Sequence, residues 1–73
     1  MAIYIVFSNY FHRGVFGVYS SIKRARIAFE NFIAEDMNIV SFVDLGEYFY
    51  EFTTKNGEVF HAEICFDVID EEF

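Results

Sequence analysis

Hydrophobic and polar positions follow two different periods along this chain. Residues 3–7 form a continuous β-branched and aromatic run, Ile-Tyr-Ile-Val-Phe, which is typical of a strand that is covered on both faces and lies inside its sheet. A loop over residues 8–14 follows. Residues 15–19 predict a second short strand, in which Gly17 permits a bulge or a close backbone approach.

One amphipathic helix is predicted next. The hydroxyl group of Ser20 or Ser21 can accept a hydrogen bond from a first-turn amide, so we expect the helix to begin there. The three-and-four spacing of apolar residues indicates one buried face, which consists of Ile22, Ala25, Ala28, Phe29, Phe32 and Ile33.

Three further strands are predicted from apolar runs at residues 39–43, 48–54 and 58–68, with a turn over residues 44–47. An Asn-Gly pair marks the last hairpin. A two-residue turn there would mix polar with apolar residues on one face, so we expect a three-residue loop with Gly57 left-handed in a bulge. This register pairs Phe52 with Phe60, Tyr50 with Ala62, Tyr48 with Ile64, Glu51 with His61, and Thr53 with Val59.

These elements predict an α+β fold in the order β-(β)-α-β-β-β. One amphipathic helix packs on one face of a mainly antiparallel sheet of four to five strands. A chain of 73 residues is too short for two stable cores, so we expect a single domain over residues 1–73. Residues 69–73 are predicted to be an acidic, frayed tail.

Aromatic residues are abundant, with 11 Phe and five Tyr. We expect more rings than one helix and a small sheet can enclose, and therefore a contiguous aromatic patch on the surface. Such a patch would mark a site for a partner protein or for a second copy of the chain, as in a homodimer.

Acidic residues dominate the charge, and the net charge of −7 argues against binding to nucleic-acid phosphates. The first 26 residues hold four cations and no acid, whereas residues 27–73 hold one Lys and all 12 acids. Solubility is the alternative explanation for most of these acids. With one cysteine, no recognisable signal peptide and no apolar run near the ~20 residues of a membrane span, the chain is expected to be cytoplasmic.

The strongest candidate for chemistry is the alternating set His61, Glu63 and Cys65, with Glu51 predicted across from His61. At ~3.3 Å per residue, His61 and Cys65 lie about 13 Å apart, which is too far to share a metal or to act as base and nucleophile. Only another histidine, such as His12, would complete a site. We therefore predict no catalytic residue, no metal, no cofactor and no enzymatic activity.

The loop over residues 9–13 combines two large rings, Tyr10 and Phe11, with His12 and Arg13. Exposed rings beside these cations, and beside three more in the helix, would bind single-stranded nucleic acid. The alternative, which the whole-chain charge favours, is that the two rings close the end of the core.

Three segments resemble small uncharacterised proteins that are encoded by bacteriophages and bacteria. They are residues 3–6 (Ile-Tyr-Ile-Val), residues 14–21 (Gly-Val-Phe-Gly-Val-Tyr-Ser-Ser) and residues 22–25 (Ile-Lys-Arg-Ala). In that family a strand and a Gly-hydrophobic-Tyr-Ser-Ser step lead into an amphipathic helix, and a β-meander follows. The resemblance covers about the first half of the chain. It implies this fold and a phage origin, and it transfers no functional residue because the family has no established activity.

The leading hypothesis is a small acidic protein-binding module, in its most specific form a phage-encoded modulator or inhibitor of a host protein. One alternative is a homo-oligomeric structural protein that uses an aromatic sheet face or an edge strand. The other is a single-stranded nucleic-acid binder through residues 10–26. The candidate partner-binding residues are Tyr10, Phe11, His12, Arg13, Glu51, His61, Glu63 and Asp67.

Overall fold

The computed structural model describes residues 2–68, which form five strands and one helix. The elements are β1 (Ala2–Ser8), β2 (Val15–Tyr19), α1 (Ile22–Glu35), β3 (Ile39–Gly46), β4 (Phe49–Thr54) and β5 (Val59–Val68). The strands make one antiparallel sheet in the order β2-β1-β5-β4-β3, and α1 packs on one face of it. The predicted α+β fold is confirmed. The predicted tail, residues 69–73, lies outside the described residues.

The helix begins at the predicted cap. Ser21 has an extended backbone, and its Oγ accepts a hydrogen bond of 3.1 Å from the Arg24 amide. Ala25 and Phe29 are fully buried, and the other members of the predicted apolar stripe are half-buried. The helix ends where the amide of Asp36 donates to the carbonyl of Phe32.

Phe29 lies at the centre of the core. Its ring centroid is 5.6 Å from that of Tyr50 and 5.7 Å from that of Phe16, so aromatic contacts join the helix to both halves of the sheet. The fully or nearly buried apolar residues are Val6, Ala25, Phe29, Tyr50, Phe52, Ala62 and Ile64. Burial of such rings is the main source of stability in a chain this short.

The exposed apolar surface differs from the expected aromatic patch. Within residues 2–68 only Tyr48, Phe49 and Phe66 are exposed among the aromatic residues. The remaining exposed large apolar side chains are aliphatic or methionine: Val15, Val18, Ile27, Met37, Val40, Val43, Leu45, Val59 and Val68. The core encloses more rings than expected because Tyr10, Phe11 and Phe16 close one end of it.

The last hairpin has the predicted register. Phe52 lies opposite Phe60, and Glu51 lies opposite His61. Gly57 is left-handed, with a φ of 84°, and the amide of Thr54 donates to the carbonyl of Glu58 at 2.9 Å. The loop therefore has three residues, and the buried apolar residues of both strands, Tyr50, Phe52, Ala62 and Ile64, share the helix side of the sheet.

The turn between β3 and β4 differs from the prediction over residues 44–47. The strand β3 continues to Gly46, and the two-residue turn consists of Glu47 and Tyr48, with φ values of 54° and 60°. Two positive φ values match the twist of a tight hairpin. Sequence analysis missed this turn because neither residue is a Gly or an Asn, the usual types in this conformation.

Candidate functional site

The sheet has two faces, and α1 covers one of them. Directly opposed residues of an antiparallel pair share a face, so the buried pairs Val6–Ile64 and Tyr50–Ala62 define the helix side. Alternate residues lie on the other side, which we call the open face. It comprises Ile3, Ile5, Phe7, Val15, Val18, Ser41, Val43, Phe49, Glu51, Thr53, Val59, His61, Glu63, Cys65 and Asp67.

Strand β1 shows most clearly that the helix covers only one face of the sheet. It is internal, between β2 and β5, as predicted, but the expectation that it is covered on both faces is wrong. Val6 is fully buried beneath the helix, whereas Ile3, Ile5 and Phe7 are only half-buried on the open face. The apolar pattern of β1 is typical of a strand with both faces covered, and within residues 2–68 only one face is covered.

Aliphatic residues continue across the open face next to β1. Ile5 lies between Val18 of β2 and Cys65 of β5 in one row of the sheet. Val18 is 56% exposed, and Val15 of β2, which lies opposite Phe7, is 41% exposed. Contiguous apolar surface of this kind is typical of a site that another molecule covers.

A carboxylate lies between two phenyl rings in the next row. Glu63 of β5 is directly opposite Phe7 of β1 on one side and Phe49 of β4 on the other. Strands in a sheet are ~4.8 Å apart, so the backbones that carry the two rings are separated by roughly 10 Å. These three residues line an open cavity of about 320 Å³ together with Ser8, Asn9, Gly14, His61 and Ala62.

Side-chain hydrogen bonds fix the wall of this cavity. The Ser8 hydroxyl donates to the carbonyl of His61 at 2.8 Å, and the Asn9 Oδ1 accepts from the amide of His61 at 3.0 Å. Strand β1 ends at Ser8, but these two side chains continue its pairing with β5 by one more residue. The start of the β1–β2 loop is therefore held against the sheet.

His61 is oriented by two neighbours. Its Nε2 is 3.5 Å from Glu51 Oε2, and its ring is stacked on Phe49 with centroids 5.5 Å apart. The side chains of the ion pair are 44% and 40% exposed, so the pair contributes at most about 1 kcal/mol to stability. Its main effect is to hold the imidazole beside the cavity.

Cys65 is half-buried on the open face, and its surroundings disfavour the thiolate. Burial raises the pKa of the Cys65 thiol, and the charge and hydrogen bonding of Glu63 raise the pKa further. A thiol of this kind is a poor nucleophile near neutral pH. No group of three or more His, Cys, Asp or Glu within residues 2–68 is arranged to hold a metal ion.

The predicted site residues divide into two groups. Glu51, His61, Glu63 and Asp67 share the open face. His12 and Arg13 are exposed in the β1–β2 loop, outside the strands that carry this set, although Asn9 and Gly14 of the same loop line the cavity beside His61 and Glu63.

Tyr10 and Phe11 belong to the end of the core. The Tyr10 ring lies 5.0 Å from Phe60, its hydroxyl donates to Asp36 Oδ2 at 3.0 Å, and the Phe11 ring lies 5.2 Å from Phe32. The candidate site therefore excludes both.

Sequence analysis missed the apolar members of the open face, namely Ile5, Phe7, Val18 and Phe49 as site residues. The uninterrupted apolar run of β1 contained this signal, but the sequence analysis interpreted the run as a strand that the rest of the fold covers on both faces.

The helix side of the sheet carries both cations and acids, since Glu30 and Glu35 lie on α1 together with its cations. Lys23, Arg24 and Arg26 are exposed on α1, on the opposite side of the sheet from the open face. The open-face positions include Glu51, Glu63 and Asp67 and no Lys or Arg within the described strands. The open face is thus acidic as well as apolar.

Comparison of the chain with protein-family models, with curated proteins and with solved structures gives no match. Within the described part of the chain, no helix has the length and apolar character that crossing a membrane requires.

Proposed function

We propose that this chain is a small acidic protein-binding module, and that its open face binds a partner with an apolar centre and cationic side chains around it. The observation that carries this proposal is the one-sided cover of β1. Ile5 and Phe7 belong to a strand pattern typical of two covered faces, and residues 2–68 cover only the helix side. A partner that packs on the open face supplies the second cover.

The charges favour a different protein over a second copy on this face. Packing two open faces together would bring Glu51, Glu63 and Asp67 of each copy into one interface. Like charges brought together at an interface cost several kcal/mol, on the order of 2–5, whereas a cationic partner gains from the same carboxylates.

A modulator or inhibitor of a host protein, encoded by a phage, is the most specific form of this proposal. An acidic, slightly apolar sheet face fits a basic groove of the kind that otherwise holds nucleic acid. The phage origin rests on the resemblance of the first half of the chain alone. Direct binding of nucleic acid has less support, because Tyr10 and Phe11 pack against the rings of the core and are only partly exposed for stacking.

Site-specific photocrosslinking in bacterial cells that express the chain tests the binding face. A benzoylphenylalanine at Val18 or Val43 probes the open face, and the same residue at Ile27 or Met37 is the control, since these four side chains are all exposed. We expect a discrete adduct with another protein from the open-face positions only. Equal adducts from all four positions, or none from the open face, would contradict the proposal.

Self-association is a second candidate, which the edge strand β3 favours. This strand lies at the end of the sheet, carries Asp44 as its single charge and has no Lys or Pro to block pairing with another strand. Val40 and Leu45 are exposed on it.

Sedimentation velocity distinguishes the two candidates. A dimer that is lost in Val40→Lys, and retained in the matched helix variant Ile27→Lys, would support edge pairing. A strictly monomeric wild type at micromolar concentrations would exclude it.

A further inference from the structure

The carboxylate between two rings on the open face is suited to one kind of side chain. We propose that the cavity between Phe7 and Phe49 binds an arginine side chain of the partner, with Glu63 as the anion that receives the guanidinium group. This inference rests on the proposed function, since it names the group that the partner places on the open face.

The register of the sheet supplies the geometry. Glu63 is the direct cross-strand neighbour of both Phe7 and Phe49, so its side chain leaves the sheet between two phenylalanine positions, and all three residues line the cavity. A planar guanidinium can stack on a ring face while its N–H groups donate to the carboxylate. The compact, strongly hydrated ammonium group of lysine uses only the second of these contacts well.

No cation of the described chain occupies this position. Within residues 2–68 the ion pairs are Arg26 with Glu30 and His61 with Glu51. Glu51 also offsets any charge on the neighbouring imidazole. Within the described residues the carboxylate of Glu63 contacts the neutral Cys65 thiol and forms no ion pair, so it can receive a cation from a partner.

The cavity is held open before anything binds. Ser8 and Asn9 fix the loop beside it through their bonds to the backbone of His61, and the His61 ring braces Phe49. A site with fixed walls loses little conformational entropy on binding, which favours a single-residue anchor at the interface.

An NMR titration of the full chain tests the assignment. The probes are N-acetyl-arginine-N-methylamide, its neutral isostere N-acetyl-citrulline-N-methylamide, and the lysine analogue. We expect saturable amide shifts centred on residues 7, 49, 61 and 63 with the arginine probe, and affinity about tenfold weaker with citrulline because the charge-assisted contact is lost. Equal binding of citrulline would overturn the role of Glu63, and equal binding of lysine would overturn the assignment to arginine.

Matched variants distinguish binding at a specific site from nonspecific attraction of a cation to the acidic surface. Glu63→Gln should reduce affinity for the arginine probe about tenfold, whereas Asp67→Asn, which removes the same charge from the same strand and face, should leave it within about twofold. Phe49→Leu should weaken binding severalfold by removing one ring. Both Glu63 and Phe49 are exposed, so wild-type spectra away from the cavity will show that these variants fold. Equal losses in the Glu63 and Asp67 variants would refute the proposal.

The two proposals fail differently. Open-face crosslinks without arginine binding would support the proposed docking face and refute the proposed arginine site. Arginine binding without open-face crosslinks would support a cation site in the cavity and refute the proposal that the open face binds a partner protein.

Discussion

Tyr10 joins three parts of the molecule through one side chain. Its ring packs edge-on against Phe52 and Phe60, and its hydroxyl donates to Asp36 at the end of α1. The same hydroxyl accepts a weaker bond of 3.4 Å from Asn38 Nδ2. The β1–β2 loop is thereby attached to both the sheet and the helix.

Removing only the Tyr10 hydroxyl should show how much its hydrogen bonds contribute to the free energy of unfolding. We expect Tyr10→Phe to lower the free energy of unfolding by about 1 kcal/mol, since the apolar ring contacts stay and the hydrogen bonds are lost. Urea denaturation checks this. The control is Tyr48→Phe, at an exposed side chain, where a change within about 0.5 kcal/mol is expected. Equal losses in both variants would contradict the role of the Tyr10 hydroxyl.

The reactivity of Cys65 should report on its acidic neighbour. Its pKa is raised by burial first and by Glu63 second, so the rate of alkylation by iodoacetamide should still be rising with pH at the ordinary thiol value of 9.0 and should level off only above it. A carboxylate disfavours a nearby thiolate, so Glu63→Gln should shift the rate profile to lower pH. Because the thiol stays half-buried in this variant, its pKa should remain above the ordinary thiol value.

The control for this measurement is Glu58→Gln, in the β4–β5 loop and remote from the thiol in the register of β5. Its profile should coincide with that of the wild type. A Glu63→Gln profile that also coincides would mean that burial alone sets the reactivity.

At the scale of elements, the quality of the sequence prediction follows from the strength of local signals. Ser21 and the apolar stripe gave the helix, because a cap and a three-and-four spacing are both local. The β4–β5 register followed from Gly57 and from polar–apolar matching across the pair. The β3–β4 turn was misplaced because Glu47 and Tyr48 adopt conformations that their residue types disfavour.

A residue that tolerates the left-handed conformation should therefore make the β3–β4 turn more stable. An L-residue in the left-handed region costs roughly 1–2 kcal/mol, and Asn tolerates the conformation better than Glu. We expect Glu47→Asn to raise the free energy of unfolding by about 0.5–1 kcal/mol, as measured by thermal and urea unfolding. Lys55→Asn, in the β4–β5 loop, is the matched control and should change stability by less than about 0.5 kcal/mol. A destabilised Glu47→Asn would show that the Glu side chain has a contact that outweighs its backbone cost.

At the scale of the whole molecule, the open face marks the limit of prediction from one sequence. Glu51, His61 and Glu63 were placed on one face in advance, because strand alternation is strictly periodic. The pattern of β1 indicated two covers, but it carries no information on whether the second cover comes from the same chain. The apolar half of the candidate site was therefore assigned to the interior.

Isosteric substitution on the two faces should reveal the one-sided cover. Val18 is 56% exposed on the open face, and Val6 is fully buried beneath α1. We expect Val6→Thr to lower the free energy of unfolding by about 1–3 kcal/mol, because it buries a hydroxyl group, and Val18→Thr to change it by less than about 0.5 kcal/mol. Chemical denaturation at a concentration where the chain is monomeric checks both. Equal costs would mean that Val18 is covered in the isolated protein.

The position of β1 beside β5 has a consequence for how fast the molecule assembles. Ala2 pairs with Val68, so the centre of the sheet joins segments from opposite ends of the described chain, whereas β3, β4 and β5 are linked by short hairpins. Pairing of such distant segments must overcome a large loop-closure entropy, and it slows folding. We infer that the meander and the helix become ordered early, and that the middle of the sheet closes last.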